Sequence, residues 1–193
     1  SLGTGTSALV TGDTTYSLSA LNSSSTYEVY VQTLCGSDSS FWSGPFIFST
    51  ACGTVSAPYF NNFDSGFPIC WSQDSTDAFD WTLDDNGTGS NPTGPSDDIT
   101  GGGNYMYIET SAPRTTGDSA ILNSISIDIS SLVNPQLRFY SHMFGASIGE
   151  LSVWITDTSG TATQVFVKNG DQGDQWNEEI VSLSNYSGVV QFT

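Results

Sequence analysis

Short runs in which apolar and polar residues alternate are the feature that most constrains the fold of this chain. Runs such as "YEVYVQTL" and "ELSVWIT" have the two-residue period of a β-strand, and clusters of Gly, Asn, Asp, Ser and Pro separate them. Almost no segment has the 3.6-residue period of a helix. We therefore predict an all-β fold of the sandwich or jelly-roll kind. The predicted strands are "TYSLSAL", "YEVYVQTL", "PFIFST", "NYMYIET", "QLRFYSHMF", "ELSVWIT", "TQVFVKN", "EEIVSLS" and "GVVQFT".

The alternation also predicts which side chains face together. In "YEVYVQ", Tyr27, Val29 and Val31 are expected on one face of a strand. The segment "ISIDISSL" is compatible with an edge strand or a single turn. The stretch from Thr82 to Gly103 is poor in apolar residues and predicts an extended loop. Loops of that length are usually functional or ordered by a metal.

The charge balance excludes several classes of partner. The 193-residue chain has three Lys and Arg residues against twenty Asp and Glu, a net charge of −17. Such a surface repels nucleic-acid phosphates and anionic lipid. Since no stretch approaches the roughly 20 apolar residues of a membrane span, we expect no membrane insertion. The start, "SLGTGTSALV", has no signal-peptide pattern, and we expect the chain to be part of a longer exported polypeptide.

Three cysteines permit at most one disulfide within the chain. Without a CxxC motif or a Cys/His cluster, a zinc site is not indicated. The alternatives are reduced thiols in a cytosol or one bridge in an oxidising space. In a hairpin, Cys35 and Cys52 would lie roughly 20 Å apart at about 3.3 Å per residue, whereas a disulfide needs Cα atoms within about 7 Å. We predict a Cys52–Cys70 bridge, with Cys35 free or paired upstream.

The first part of the chain resembles the end of a fibronectin type III domain. The segment "LNSSSTYEVYVQTLCGSDSSFWSGPFIFST" places Leu21 six residues before Tyr27 and follows with two strands around a polar loop. The resemblance implies a tyrosine corner, in which the Tyr27 hydroxyl bonds back to the preceding turn. Ser23 and Ser25 depart from the family's Pro and Thr, and a plain hairpin is the alternative. Because a full sandwich needs about 100 residues, residues 1–51 are predicted to be a C-terminal part whose opening strands lie upstream.

The second part resembles a MAM domain, an extracellular module. Four blocks occur in the family's order: "FDSGFPICWSQDSTDAFDW", "GPSDDITGGGNYMYIET", "LRFYSHMFGASIGELSV" and "NGDQGDQWNEEIVSL". The resemblance implies a jelly-roll sandwich of two antiparallel sheets over residues 59–193, truncated at its C-terminal end, with 52–58 as a linker. It also implies a non-catalytic role in adhesion or assembly. The family's first cysteine is absent near Phe63, and Cys52 is the candidate substitute.

The combination of both resemblances is similar to tandem arrays in secreted bacterial surface proteins exported by type IX secretion. Such arrays occur in adhesins and large exoenzymes, so the expected partners are other proteins or cell-surface glycans. An accessory role in a secreted exoenzyme is an alternative. Asp-Ser/Thr triplets resemble the O-glycosylation sites of such proteins and suggest modification at Thr14, Ser75 and Ser119.

The stretch "GPSDDITGGGNYMY" could be a metal loop, a phosphate cradle or a plain turn. No Lys-Ser/Thr pair and no helix pattern follow its glycines, so a phosphate cradle is not indicated. Calcium prefers several carboxylate and carbonyl oxygens. Asp64 and Asp98 match acids of the family, some of whose members hold a cation, and Asp80, Asp84 and Asp97 are further candidates. The alternative is that Asp98 caps a turn and Asp64 is solvated.

Catalysis has little support in the sequence. The single histidine, His142, lies on a predicted strand at a structural position of the family, and a packed role is expected. By the same resemblance Trp71, Trp81 and Trp176 occupy core positions. Trp42, in the polar loop of the hairpin, is the candidate for ligand binding. It supports a carbohydrate-binding module as the alternative function.

Overall fold

The computed structural model describes residues 5–90 and 92–193, and its regular structure there consists of β-strands only. This confirms the predicted all-β fold class. No helix in the described ranges is long and apolar enough to cross a membrane. The chain divides into two compact units, residues 1–53 (unit 1) and 54–193 (unit 2).

Unit 1 is built around a long antiparallel hairpin. Tyr27 on the first strand stacks on its cross-strand partner Phe48, with ring centroids 5.7 Å apart. The backbone N–H of Asn22 donates to the Tyr27 hydroxyl oxygen at 2.8 Å, the contact expected of a tyrosine corner. A full fibronectin type III assignment stays a prediction. The strands are β1 (Thr26–Val31), β2 (Leu34–Cys35), β3 (Asp38–Ser39) and β4 (Ser43–Ser49); β1 pairs with β4, and β2 with β3.

One expected strand of unit 1 does not form, and the main hairpin is irregular at one end. The segment "TYSLSAL" is not a strand and has no neighbouring strand to pair with in the described part of the unit. The exposed fraction of Val31 is 54%, higher than expected for a side chain next to the aromatic pair. Val29 pairs with Phe46 but Val31 with Ser43, so β4 carries one extra residue there, a β-bulge. The bulge changes which side chains of β4 lie opposite the end of β1.

Unit 2 is a sandwich with a five-stranded sheet on one side. Its order is β13-β12-β15-β10-β5, antiparallel except for the β10–β5 pair. Shorter pairs, β11–β14, β6–β9 and β7–β8, complete the unit. Its strands are β5 (Val55–Ser56), β6 (Ser72–Gln73), β7 (Thr82–Asp84), β8 (Tyr105–Tyr107), β9 (Leu122–Asn123), β10 (Ile127–Asp128), β11 (Gln136–His142), β12 (Glu150–Thr156), β13 (Ala162–Asn169), β14 (Trp176–Ser182) and β15 (Val189–Phe192).

The core of unit 2 lies between the five-stranded sheet and the β11–β14 pair. Ile155 and Val190 from the large sheet are fully buried with Val181 of β14 in one cluster. Phe139 of β11 meets Phe166 of β13 edge-to-face, with centroids 5.1 Å apart. Burying one such side chain contributes about 1.5–3 kcal/mol, so this cluster holds the two layers together. Its buried members are Ile125, Ile127, Ile129, Ile155, Val181, Leu183 and Val190.

A polar contact also crosses between the layers. Glu179 of β14 is only 8% exposed and accepts a hydrogen bond from the Ser141 hydroxyl at 3.0 Å. Lys168, on the edge strand β13 of the large sheet, forms an ion pair with the same carboxylate. The buried charge of Glu179 therefore depends on a cation from the opposite layer.

Strand β13 lies at one end of the five-stranded sheet and pairs only with β12 in the described structure. Val153 pairs with Phe166 and Trp154 with Gln164, which leaves Val165 as an extra residue in β13. The edge strand therefore contains a bulge.

The predicted strands of unit 2 agree with β8 and β11–β15. The segment "ISIDISSL" contains β10, which lies between β15 and β5 and is therefore interior to the sheet. The segment from Thr82 to Gly103, predicted as a loop, begins with β7, and its described residues after Asp84 contain no strand. Strand β5 lies within the stretch 52–58 and pairs with β10, so part of that stretch belongs to the large sheet.

Candidate functional site

The loop before β8 is organised around the carboxylate of Asp98. One oxygen accepts the backbone N–H groups of Gly101 at 2.7 Å and Gly103 at 3.0 Å. The other accepts the hydroxyl of Thr100 at 2.6 Å and its backbone N–H at 3.1 Å. These contacts, the Thr100 side chain first, lower the pKa of Asp98 to about 2. The carboxylate is therefore ionised under all physiological conditions.

Two further carboxylates bind the same loop. Asp97 accepts the backbone N–H of Gly102 at 2.9 Å. Asp64, from the segment after β5, accepts the backbone N–H of Asn104 at 2.9 Å. The Asn104 side-chain amide donates to the Phe63 carbonyl at 3.2 Å, so the loop and the Asp64 segment are tied by two contacts. We name residues 97–104 together with Asp64 the aspartate loop.

Gly103 is the point at which two of these carboxylates converge. A Cβ atom at this position would lie 2.4 Å from an oxygen of Asp64 and 2.7 Å from an oxygen of Asp98. Neither distance leaves room for a methyl group, and both oxygens are fixed by the hydrogen bonds described above. The close approach of two acids therefore requires glycine at position 103.

Aromatic residues anchor the aspartate loop to the sandwich. The indole N–H of Trp176 donates to the Asp97 carbonyl at 3.0 Å. Tyr105 packs edge-on against Trp176 and donates its hydroxyl to the Asn86 carbonyl. Burial raises the pKa of Tyr105 to about 12, so its phenol stays neutral.

His142 packs as expected of a structural residue. Its side chain is 3% exposed and lies edge-on to Trp176 and Phe144. Its Nε2 atom lies 3.1 Å from the Asp174 carboxylate, while Nδ1 is buried without a described partner. The histidine therefore packs against Trp176, which anchors the aspartate loop.

The structure brings together three of the five predicted calcium ligands. Asp64, Asp97 and Asp98 all bind the aspartate loop, whereas Asp80 is exposed just before β7. Asp84 caps the turn after β7 through the N–H of Asp85 at 2.8 Å. In residues 5–90 and 92–193, no group of three or more Asp, Glu, His or Cys side chains is placed to hold a metal ion. Calcium binding at the aspartate loop stays a prediction.

The other predicted sites are the cysteines and the residues proposed for O-glycosylation. Cys52 and Cys70 are disulfide-bonded, and Cys35 is an exposed free thiol. The residues proposed for O-glycosylation are exposed and accessible: Thr14, Ser75 and Ser119. Their modification stays a prediction.

The tryptophans divide as their sequence context indicates. Trp42 is 48% exposed on the surface of unit 1. Trp71, Trp81 and Trp176 are partly buried, and each has a hydrogen-bond acceptor for its indole N–H. Exposure makes Trp42 available to a ligand, while the others support the sandwich.

The sequence did not identify Gly103 and Asn104 as parts of the site. The signal was the run of three glycines directly after two acids, which supplies closely spaced backbone N–H groups. From the sequence, those glycines were compatible with a metal loop or with a plain turn. Their N–H groups in fact bind the chain's own carboxylates, and the last glycine also gives Asp64 room to approach.

Known proteins are similar in sequence to part of this chain. The chain is 36% identical over 146 residues to the human "MAM domain-containing glycosylphosphatidylinositol anchor protein 2", covering 65% of this chain and 15% of that protein. It is 38% identical over 130 residues to the human anchor protein 1, covering 60% and 13%. Neuropilin-1a of Danio rerio is 34% identical over 125 residues, covering 62% and 13%. The chain thus spans only a small part of these relatives.

The family comparison covers most of the chain. The model of the MAM domain (meprin/A5/mu) matches residues 61–193, which include the aspartate loop, its aromatic anchors and the buried core. This chain belongs to the MAM domain family.

Proposed function

We propose that unit 2 is a non-catalytic protein-interaction module of a longer extracellular protein, with a role in adhesion. The family match over residues 61–193 carries this proposal. The relatives' names describe glycosylphosphatidylinositol anchor proteins, which supports a place on the cell surface. The strongly acidic surface fits protein partners better than nucleic acid or anionic lipid.

Binding of the labelled Trp42→Ala chain to cells tests this proposal, because that variant lacks the exposed indole of unit 1 and leaves unit 2 unchanged. We expect saturable binding to some members of a panel of bacterial and animal cells, competed by unlabelled chain. Protease treatment of the cells should abolish it, because the partner is a protein, while glycosidase treatment should leave it intact. A chain unfolded by heat serves as the control. Absence of saturable binding to every cell type, or binding that survives protease, would contradict the proposal.

Calcium binding at the aspartate loop is the finer proposal for this unit. Asp64 and Asp98 converge on Gly103, and Asp98 is fully ionised. Calcium prefers such carboxylate and carbonyl oxygens. A ligand that binds only the folded state raises its stability, so the melting temperature should be higher in excess calcium than in chelator.

Two variants separate calcium binding from turn capping. Asp98→Asn should lower the melting temperature and also remove its response to calcium. Asp157→Asn is the matched control, since Asp157 caps another turn through Ser159 with an N–H contact of 2.8 Å. That variant should keep the calcium response. A native chain that melts identically in calcium and chelator rules the site out.

Several finer expectations complete the proposal. They are a fibronectin type III identity for unit 1, a bacterial exported parent protein, a Cys52–Cys70 bridge and O-glycans at the exposed triplets. Intact mass before and after reduction addresses the last two. A mass equal to that of the sequence less two hydrogens supports the bridge and excludes glycans in the material measured.

Carbohydrate binding by unit 1 is the second candidate function. The observation that favours it is the half-exposed indole of Trp42 next to Phe41, which is almost fully exposed. Adjacent exposed aromatic side chains form apolar surface of the kind that marks ligand-binding grooves when it is contiguous.

A further inference from the structure

We propose that unit 1 binds neutral saccharides in a cleft beside the loop of its hairpin, an inference that rests on the carbohydrate-binding alternative above. The cleft has a volume of about 390 Å³, within the range of ligand sites. We name it the hairpin cleft. Its lining residues are Gln32, Ser39, Ser40, Phe41 and Trp42.

The aromatic part of the hairpin cleft is available for stacking. Phe41 is 98% exposed and Trp42 is 48% exposed. Each side chain therefore keeps surface that is not covered by packing within the described unit. An aromatic face attracts the slightly positive C–H groups of a sugar ring, because the ring face carries partial negative charge. The two adjacent rings therefore supply apolar surface for a pyranose.

The polar part of the hairpin cleft is fixed in place. The side-chain amide of Gln32 donates to the Ser40 carbonyl at 2.7 Å. The Ser40 hydroxyl accepts the Thr33 N–H at 3.0 Å and donates to the Phe41 carbonyl at 2.9 Å. The bonds from Gln32 and Thr33 cross the loop and hold its backbone, which reduces the entropy lost on binding.

The chemistry of the lining selects hydroxyl-rich ligands. Amide and hydroxyl groups can both donate and accept hydrogen bonds, as the hydroxyls of a sugar also do. No lining residue of the hairpin cleft is charged, while the chain as a whole carries −17. Sulfated or sialylated glycans would be repelled without a local cation to compensate. Neutral sugars fit, and with no carboxylate in the lining they need no calcium.

Binding of the complete chain to a glycan array tests the inference. The array should include neutral sugars of plant, fungal and glycoprotein types. The soluble probes are cellohexaose, maltohexaose, chitohexaose and mannohexaose, measured by saturation-transfer NMR. We expect at least one to bind, and to bind equally in calcium and in chelator. Trp42→Ala and Phe41→Ala should each weaken binding at least tenfold.

Trp154→Ala is the matched control, because Trp154 is also partly exposed but lies on β12 of unit 2. It should leave saccharide binding unchanged. Binding of charged glycans only, binding retained in both cleft variants, or no neutral saccharide bound would each overturn the inference. Cell binding through unit 2 should persist in Trp42→Ala, so failure of this inference and failure of the adhesion proposal give different results.

Discussion

Replacing Lys168 with Met will lower the free energy of unfolding of the chain by about 3 kcal/mol, the cost of breaking a buried ion pair. The variant keeps the apolar stem but leaves the carboxylate of Glu179 buried without its cation. The Ser141 hydroxyl, at 3.0 Å, cannot neutralise that charge. Urea unfolding followed by tryptophan fluorescence measures the effect.

Arg138→Met provides the comparison. Arg138 pairs with Glu178 at 3.0 Å on neighbouring strands, but the Arg138 side chain is 59% exposed. Exposed pairs contribute less than about 1 kcal/mol, so this variant should unfold close to the native midpoint. The double variant Lys168→Met with Glu179→Leu should recover much of the loss, because no charge is then buried. Equal small effects of Lys168→Met and Arg138→Met would show that Glu179 does not need its cation.

Gly103→Ala is expected to destabilise unit 2 by about 2–4 kcal/mol, in the range of severe overpacking. The added methyl group would overlap the oxygens of Asp64 and Asp98, and both carboxylates are held by backbone N–H groups. Relief requires breaking those bonds, which leaves the charges without their donors. The melting temperature should therefore fall, and the increase in melting temperature caused by calcium should become smaller.

Gly89→Ala and Gly149→Ala are the controls for this effect. A Cβ atom at either position meets nothing within 4 Å, and neither glycine has a positive φ. Both variants should change the stability by less than about 0.5 kcal/mol, as is usual for surface substitutions. A Gly103→Ala chain as stable as these two would mean that the aspartate loop relaxes without cost.

The fold class could be predicted because strand periodicity is a local property. The alternation in "ELSVWIT" and "TQVFVKN" corresponds directly to β12 and β13. The alternation in "TYSLSAL" is similar, yet no strand forms, because a strand also needs a partner with open hydrogen-bonding groups. The register of the hairpin could not be predicted for a related reason: it depends on an extra residue in β4, which β1 does not reveal.

The acids of the candidate site could be predicted individually but not as a set. Asp98 and Asp64 stand out by resemblance, and the capping of a turn by Asp98 was the alternative to calcium binding. That Asp64 approaches the same glycine depends on a contact between segments 40 residues apart. The Lys168–Glu179 pair joins strands of opposite layers. It could not be predicted from the sequence either, because it depends on how the layers pack.

The edge position of β13 affects whether copies of this chain associate at high local concentration. An open sheet edge can recruit a strand from a neighbouring molecule, and natural proteins prevent this with bulges and with charges directed inward. Val165 supplies the bulge and Lys168 the inward charge. The residue that neutralises Glu179 thereby also discourages fibre growth among crowded copies, so loss of Lys168 should reveal itself by turbidity as well as by unfolding.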